Sequence, residues 1–361
     1  MTNDVPDQPE KKDFDRKRLI KIAKCLIGVA VCVGLVFAGR SAVTQWQQKT
    51  AETQSEIDKI ETQIAATGDT AVRQPLIQQR DRLAKSLPSL GNLDWPKMIL
   101  AAVLYGLGLL PPCFVLREAV GSLGHRPAVP ISIASQLIGH LGKYVPGKAM
   151  VVVLRVGVLS RDNVSPIVGT VSVFMETLLM MAVGAVVSGA IICWLPVPTW
   201  MIVTAIAVSI GASIPTLPPF LKLVAKRISK RAKHLDQTNS ETSSGRFFIA
   251  GWAWSLLSWL LIGTAFSLLV AAIPNAQEVP PFARLWALST AAIALAMVVG
   301  FASLLPGGAG VRELVLAIIL APGVGSACAL LAAIAARVMF IVVESTLAGL
   351  AWLWIQRSEV A

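Results

Sequence analysis

Apolar residues in this chain come in long runs with short polar punctuation between them. The runs cover 97–116, 164–194, 199–221, 247–273, 284–305 and 326–356. About 20 apolar helical residues cross a bilayer, so most of these runs predict spanning helices. Residues 19–39 predict a further, first helix, whose clean apolar part, Cys25 to Gly39, is short. A basic start before a short apolar stretch also fits a signal peptide. Lys21 and Lys24 can snorkel and no convincing A-x-A-like site follows, which favours an uncleaved anchor. Residues 41–94 differ in kind, being rich in Gln, Glu, Lys and Thr. Ile57, Ile60 and Ile64 fall at helical spacing, and Leu76, Leu83, Leu87 and Leu90 do so more loosely after Gly68-Asp69. This predicts a helical hairpin outside the membrane, either a solvated spacer or an arm that docks a partner or a second copy.

One element occurs twice, 160 positions apart: Tyr144-Val145-Pro146-Gly147-Lys148 and Leu304-Leu305-Pro306-Gly307-Gly308. Each copy follows an apolar run and precedes a short apolar stretch, a turn and a long apolar helix. With Pro146 set on Pro306, the turn Arg161-Asp162-Asn163 falls opposite Ala321-Pro322-Gly323 without a gap. Proline removes a backbone donor and glycine permits unusual dihedrals, so the chain can end one half-helix here and begin another. Two matched breaks at membrane depth predict a transporter built from repeats.

Composition agrees with the pattern. The chain is 55% hydrophobic and 15% charged, against about a quarter charged in soluble domains. Its net charge of +11 is concentrated in two clusters. Lys11, Lys12, Arg16, Lys17, Arg18, Lys21 and Lys24 precede the first helix. Lys222, Lys226, Arg227, Lys230, Arg231, Lys233 and Arg246 lie between apolar runs, with only Asp236 and Glu241 against them. Both clusters hug helix ends, so membrane topology and anionic headgroups account for them better than nucleic acid does. The five cysteines sit within or at the ends of apolar runs without metal-site spacing, and the three histidines form no ligand pattern. No cofactor is expected. Trp95, Trp194, Trp200, Trp252, Trp352 and Trp354 lie near predicted helix ends, as interfacial aromatic belts do.

The positive-inside rule orders these pieces. A cytoplasmic tail at 1–18 leads to the first helix at 19–40 and the extracytoplasmic hairpin at 41–94. A first repeat at 95–221 includes a re-entrant hairpin at 128–160 and a connecting helix at 199–221. The basic loop at 222–246 is then cytoplasmic, and a second repeat fills 247–361 with its hairpin at 284–321. The expected fold is an all-α polytopic membrane protein. It has an inverted-topology repeat with two re-entrant broken-helix hairpins, plus an extramembrane helical hairpin. A site is expected near the midplane, where the two breaks meet.

A charge at bilayer depth costs at least about 2.5–3.5 kcal/mol, so each one asks for a reason. Lys143, Lys148, Arg155 and Glu176 fall at that depth in the first half, and Arg312, Glu313, Arg337 and Glu344 in the second. The new half-helices begin near Lys148 and Gly310, where free N–H groups and the positive dipole end favour an anion, phosphate above all. With Pro146, Gly147, Pro306, Gly307 and Gly308 at the breaks, these residues compose an anion-site hypothesis. The alternative is ordinary kinks with structural ion pairs, Arg312 with Glu313 or Arg337 with Glu344. No Walker loop, H-E-x-x-H or G-x-S-x-G stands in the chain.

Gly142-Lys143-Tyr144-Val145-Pro146-Gly147-Lys148 with Arg155, and Pro306-Gly307-Gly308-Ala309-Gly310-Val311-Arg312-Glu313, resemble the integral membrane family named after the transmembrane region of lysylphosphatidylglycerol synthase. The likeness covers most of 97–356. Arg337 looks like the family's arginine in the second repeat, while Glu176-Thr177 stands where the family tends to carry Glu-Arg. The resemblance implies movement of an anionic lipid headgroup between leaflets, such as phosphatidylglycerol derivatives or polyisoprenyl-phosphate sugars. Synthase members also carry a soluble aminoacyltransferase domain, which this chain, ending soon after its last span, is expected to lack. The leading expectation is a flippase-like, non-enzymatic lipid transporter in a bacterial cytoplasmic membrane with both termini inside. A scaffold docking partners through 41–94 would not need charges at the breaks. A membrane transferase on lipid phosphates would need Glu176 or Glu313 beside the phosphate.

Overall fold

The computed structural model describes residues 44, 47–48, 50–87, 90–144, 149–195, 199–217, 219, 240–274, 279–303 and 310–360. The tail at 1–18, the first helix at 19–40, residues 222–239 of the basic loop, and Pro146, Gly147, Lys148, Pro306, Gly307 and Gly308 lie outside the described residues. Every regular element among the described residues is helical.

Two helices come first, α1 at 50–66 and α2 at Thr70–Ser86. They meet at Gly68-Asp69, where the Asp69 carboxylate accepts from Ala71 N at 2.9 Å and caps α2. An apolar stretch follows as α3 (Trp95–Gly108) and α4 (Pro111–Ser122). Pro111 and Pro112 deny N–H donors to the preceding turn, so the helix restarts there. The Gly108 carbonyl at the interruption accepts from Ser258 Oγ at 2.7 Å.

Next come α5 (Val129–Gly139) and α6 (Ala149–Leu159), of 11 residues each. Each is about 16 Å long, half a bilayer. The 3₁₀ turn His140–Tyr144 extends α5. The outer ends of the two helices are tied together, since Ala128 N donates to Asp162 Oδ2 at 2.6 Å. Helix α7 (Pro166–Ile192) opens with Ser165 as its cap and Pro166 in its first turn. Helix α8 (Thr199–Ser213) is shorter than the run at 199–221 that predicts it. It passes into a 3₁₀ turn, Ile214–Thr216, because Pro215 cannot continue the ladder.

The second half contains α9 (Ser240–Ala272), α10 (Phe282–Ala302), α11 (Val311–Val324) and α12 (Ser326–Val360). Trp95–Ser122, Pro166–Ile192, Gly245–Ala272, Phe282–Ala302 and Cys328–Arg357 are each long and apolar enough to cross a bilayer. The protein is therefore a polytopic integral membrane protein. The two broken elements differ in build. Helix α10, the first arm at 284–321, has 21 residues and is long enough to span, whereas α5 is not.

The packing has a regular plan. Helix α9 lies along α3, α4 and α7, and α12 lies against α3 and α9. Helix α5 packs on α12, and α10 packs on α7. Each returning arm then leans on the next helix, α6 on α7 and α11 on α12. The core between them includes Tyr105, Trp259, Phe266, Ile293, Leu320 and Phe340. Trp252 lies within α9 with a buried indole N–H that has no hydrogen-bond partner among the described residues.

Candidate functional site

Six of the seven predicted membrane-depth charges that the structure describes gather into three clusters, each anchored by one glutamate. The first forms on Glu344, which is buried on α12. It accepts from Lys143 Nζ and from the Tyr105 hydroxyl through Oε1, and from the Tyr144 hydroxyl at 2.6 Å through Oε2. Lys143 and Tyr144 end the 3₁₀ turn after α5, and Tyr105 comes from α3. Phe340, one turn before Glu344, stacks on the Tyr105 ring with centroids 4.1 Å apart and fixes the hydroxyl's direction. The carboxylate thus joins both halves of the chain.

The second cluster is Arg155 with Glu176. Arg155 Nη1 donates to Glu176 Oε2 at 2.6 Å, and both side chains are almost wholly buried, at 6% and 3% exposure. Gln136 Nε2 donates to the other carboxylate oxygen at 3.2 Å, and Thr177 Oγ1 lies 3.1 Å from Oε2. Thr177, in the position where the family tends to carry arginine, is therefore part of this carboxylate's shell. Ser135 Oγ donates to the Arg155 carbonyl at 3.0 Å and binds α5 to α6. The third cluster is Arg337 with Glu313, at 2.6 Å and more open, with 31% and 24% exposure. Glu313 also accepts from Gly310 N at 2.8 Å. The protein's own carboxylate thus takes one backbone donor at the start of α11, where free donors are expected from the sequence.

These pairings correct the ion pairs suggested by the sequence. Arg312 does not pair with Glu313, nor Arg337 with Glu344. Seven helical residues separate Arg337 from Glu344 by about 10.5 Å along the axis, so each finds a partner on another element.

Arg312 stands apart. Among the described residues it has no carboxylate partner, and its Nε is buried without a hydrogen-bond partner. Its charge acts on Tyr105, Lys143 and Tyr144, so it lies in the neighbourhood of the Glu344 cluster. It also shares a packing device with Arg155. A methyl group added at Gly300 of α10 would lie 2.6 Å from Arg312 Cγ, and one added at Gly139 of α5 would lie 2.5 Å from Arg155 Cγ. In each broken element a glycine on the first arm seats an arginine from the returning arm. Among the described residues, four membrane-depth cations, Lys143, Arg155, Arg312 and Arg337, stand against three carboxylates, Glu176, Glu313 and Glu344.

Sequence reasoning missed Tyr105, Gln136 and His140, and it named Tyr144 only as part of a motif. The chain has two tyrosines, both with hydroxyls that need partners at membrane depth, and that scarcity is the signal that finds them.

A family model described as the lysylphosphatidylglycerol synthase TM region matches residues 81–348. The match takes in α3 to α11, most of α12 and all three charged clusters. No curated protein matches the chain.

Proposed function

The chain belongs to the lysylphosphatidylglycerol synthase TM-region family, and on that premise we propose that it carries a phosphate-bearing anionic lipid, or a lipid-linked headgroup, between leaflets. The observation that carries this reading is Arg312. A half-buried arginine whose Nε is enclosed without a partner, and which meets no carboxylate among the described residues, is incomplete on its own. A phosphate monoanion supplies what it lacks, with two oxygens matched to the guanidinium fork. Lys143 and Tyr144 lie close enough for the Arg312 charge to act on them. Arg155, Glu176, Glu313 and Arg337 hold the two broken elements in register around it. Transport, with no covalent step, is the activity proposed.

The repeat reading goes with it. Exchanging the halves exchanges α5 on α12 for α10 on α7, and α6 on α7 for α11 on α12. That correspondence supports an inverted-topology repeat, with α5 and α6 as a re-entrant hairpin whose outer ends are strapped together. In this topology the 222–246 loop and both termini are cytoplasmic, 41–94 is outside, and the membrane is a bacterial cytoplasmic membrane. Single-cysteine labelling at position 235, in a background without native cysteines, checks it. Labelling from outside alone would sink the inverted repeat.

Function is tested in proteoliposomes holding fluorescent phosphatidylglycerol, with dithionite bleaching the outer leaflet. The wild-type protein should allow bleaching beyond the outer-leaflet fraction. Arg312→Gln should slow it about 10- to 150-fold, the equivalent of about 1.5–3 kcal/mol for a contact to a charged group. Lys226→Gln, in the basic loop, should not. Equal rates for wild type and Arg312→Gln would refute the anion site.

A further inference from the structure

Glu344 is held by donors alone. An ammonium and two phenolic hydroxyls close on its oxygens. Its side chain is fully enclosed, while that of Lys143 keeps 21% of its surface open. A phosphate diester monoanion takes the same kind of donors. An anion arriving from the open side of Lys143 therefore meets donors that Glu344 already occupies. Even with Arg312 engaged by the phosphate, two anions contending for the same ammonium and hydroxyl donors in a low-dielectric interior repel, and neutralising Glu344 relieves the contest.

The surroundings limit how this happens. Tyr105 faces Glu344 from α3, and His140, Lys143 and Tyr144 face it from the 3₁₀ turn. Arg155 on α6 and Arg312 on α11 act on Lys143. Glu313 of α11 is held by Arg337, on Glu344's own helix. Helices α5 and α9 also pack on α12, but neither Val129–Gly139 nor Phe247–Ala272 contains an ionisable side chain. The His140 Nε2 is buried without a hydrogen-bond partner. Among the described residues Glu344 is thus the only carboxylate on Lys143, and its side chain is fully enclosed.

We propose, resting on the lipid-carrying reading above, that Glu344 takes up a proton as a phosphate monoanion replaces it on Lys143 and Tyr144, so that anion and proton enter the site together. The balance is simple. Before binding, the ammonium faces a carboxylate. Afterwards it faces the phosphate, and a proton from water forms an O–H bond on Glu344. The net charge of the site, with Arg312 counted, is the same in both states. Loss of the proton returns Glu344 to Lys143 and expels the anion. A proton gradient is then the driving force, and Glu344 is the residue that couples it.

The test is calorimetric binding of dioctanoyl phosphatidylglycerol to the purified full chain, in buffers of differing ionisation enthalpy across about pH 6 to 8. The expected result is one proton taken up per lipid, with affinity rising about tenfold for each unit of pH lowered. Glu344→Gln should bind more tightly, with a flat pH profile and no proton uptake. Lys143→Gln should lose affinity at every pH. Wild-type binding without proton uptake and with a flat profile overturns the coupling but leaves the lipid-carrying reading standing. Absence of binding at every pH overturns both. The wild-type proton count decides the matter even where Glu344→Gln does not fold. Dimethyl phosphate, titrated in parallel, separates the sources. Uptake with the lipid alone supports a headgroup within a lipid, and uptake with dimethyl phosphate alone overturns the lipid and assigns the exchange to a soluble anion.

Discussion

Arg155 and Arg312 occupy the same kind of seat and lead different lives. Each lies against a glycine of the preceding arm, and each has a buried Nε without a partner. Arg155 is closed off by Glu176 at 2.6 Å, while Arg312 meets no carboxylate among the described residues. A packing device therefore does not by itself define a ligand site. What separates a structural arginine from a binding one here is the next helix. Helix α7 offers Glu176 to the first hairpin, whereas α12 spends Glu344 on Lys143 and offers Arg337 to the second broken element.

The largest effect should come from unpairing the closed seat. Glu176→Gln leaves a buried guanidinium uncompensated, at a cost of about 3–5 kcal/mol. Thermal unfolding in detergent should report a large drop in Tm, and Glu313→Gln a smaller one, since that pair is more open. A melting temperature unmoved by Glu176→Gln would mean that Arg155 is free to bind ligand too.

Arg312→Gln should do the reverse, weakening lipid binding by about 1.5–3 kcal/mol with little change in Tm. If it lowers Tm as Glu176→Gln does, both arginines are structural and the contrast is lost. The glycines probe the seats themselves. Gly139→Ala forces Arg155 off its ion pair and should cost about 1–3 kcal/mol by overpacking. Gly300→Ala should cost less, because Arg312 has no carboxylate to leave, and paired melting curves measure the difference.

The smallest effect belongs to an exposed reference pair. The Asp94 carboxyl, hydrogen-bonded to Lys97 at the start of α3, is held below its ordinary value of 3.8. Its contribution is present above that value and is lost as pH falls through the lower, folded-state value. Asp94→Asn should lower Tm slightly at neutral pH, and the gap should close on acidification.

Much of this fold is legible from apolar run length. The spans at Pro166–Ile192 and Phe282–Ala302 coincide with runs that can hardly be anything else. The turn at Gly68-Asp69 is likewise signalled by its residues. Run length fails at α8, where Pro215 ends a helix that hydropathy alone would continue. The membrane-depth charges are conspicuous because they are rare, but their partners are not. Pairing Glu344 with Lys143 joins positions 201 apart, and no local spacing encodes it. Tyr105, Gln136 and His140 are hidden for a related reason. One polar atom within an apolar helix leaves the periodicity intact.

Glu344 also makes the site unusually easy to watch. The chain's two tyrosines, Tyr105 and Tyr144, both donate to that one carboxylate. Fluorotyrosine incorporated throughout the protein therefore places every label at a single locus, without mutation or chemical tagging. The fluorine spectrum of the intact protein reduces to two resonances. Both lie on rings whose hydroxyls donate to Glu344, so residue-type labelling becomes site-specific labelling.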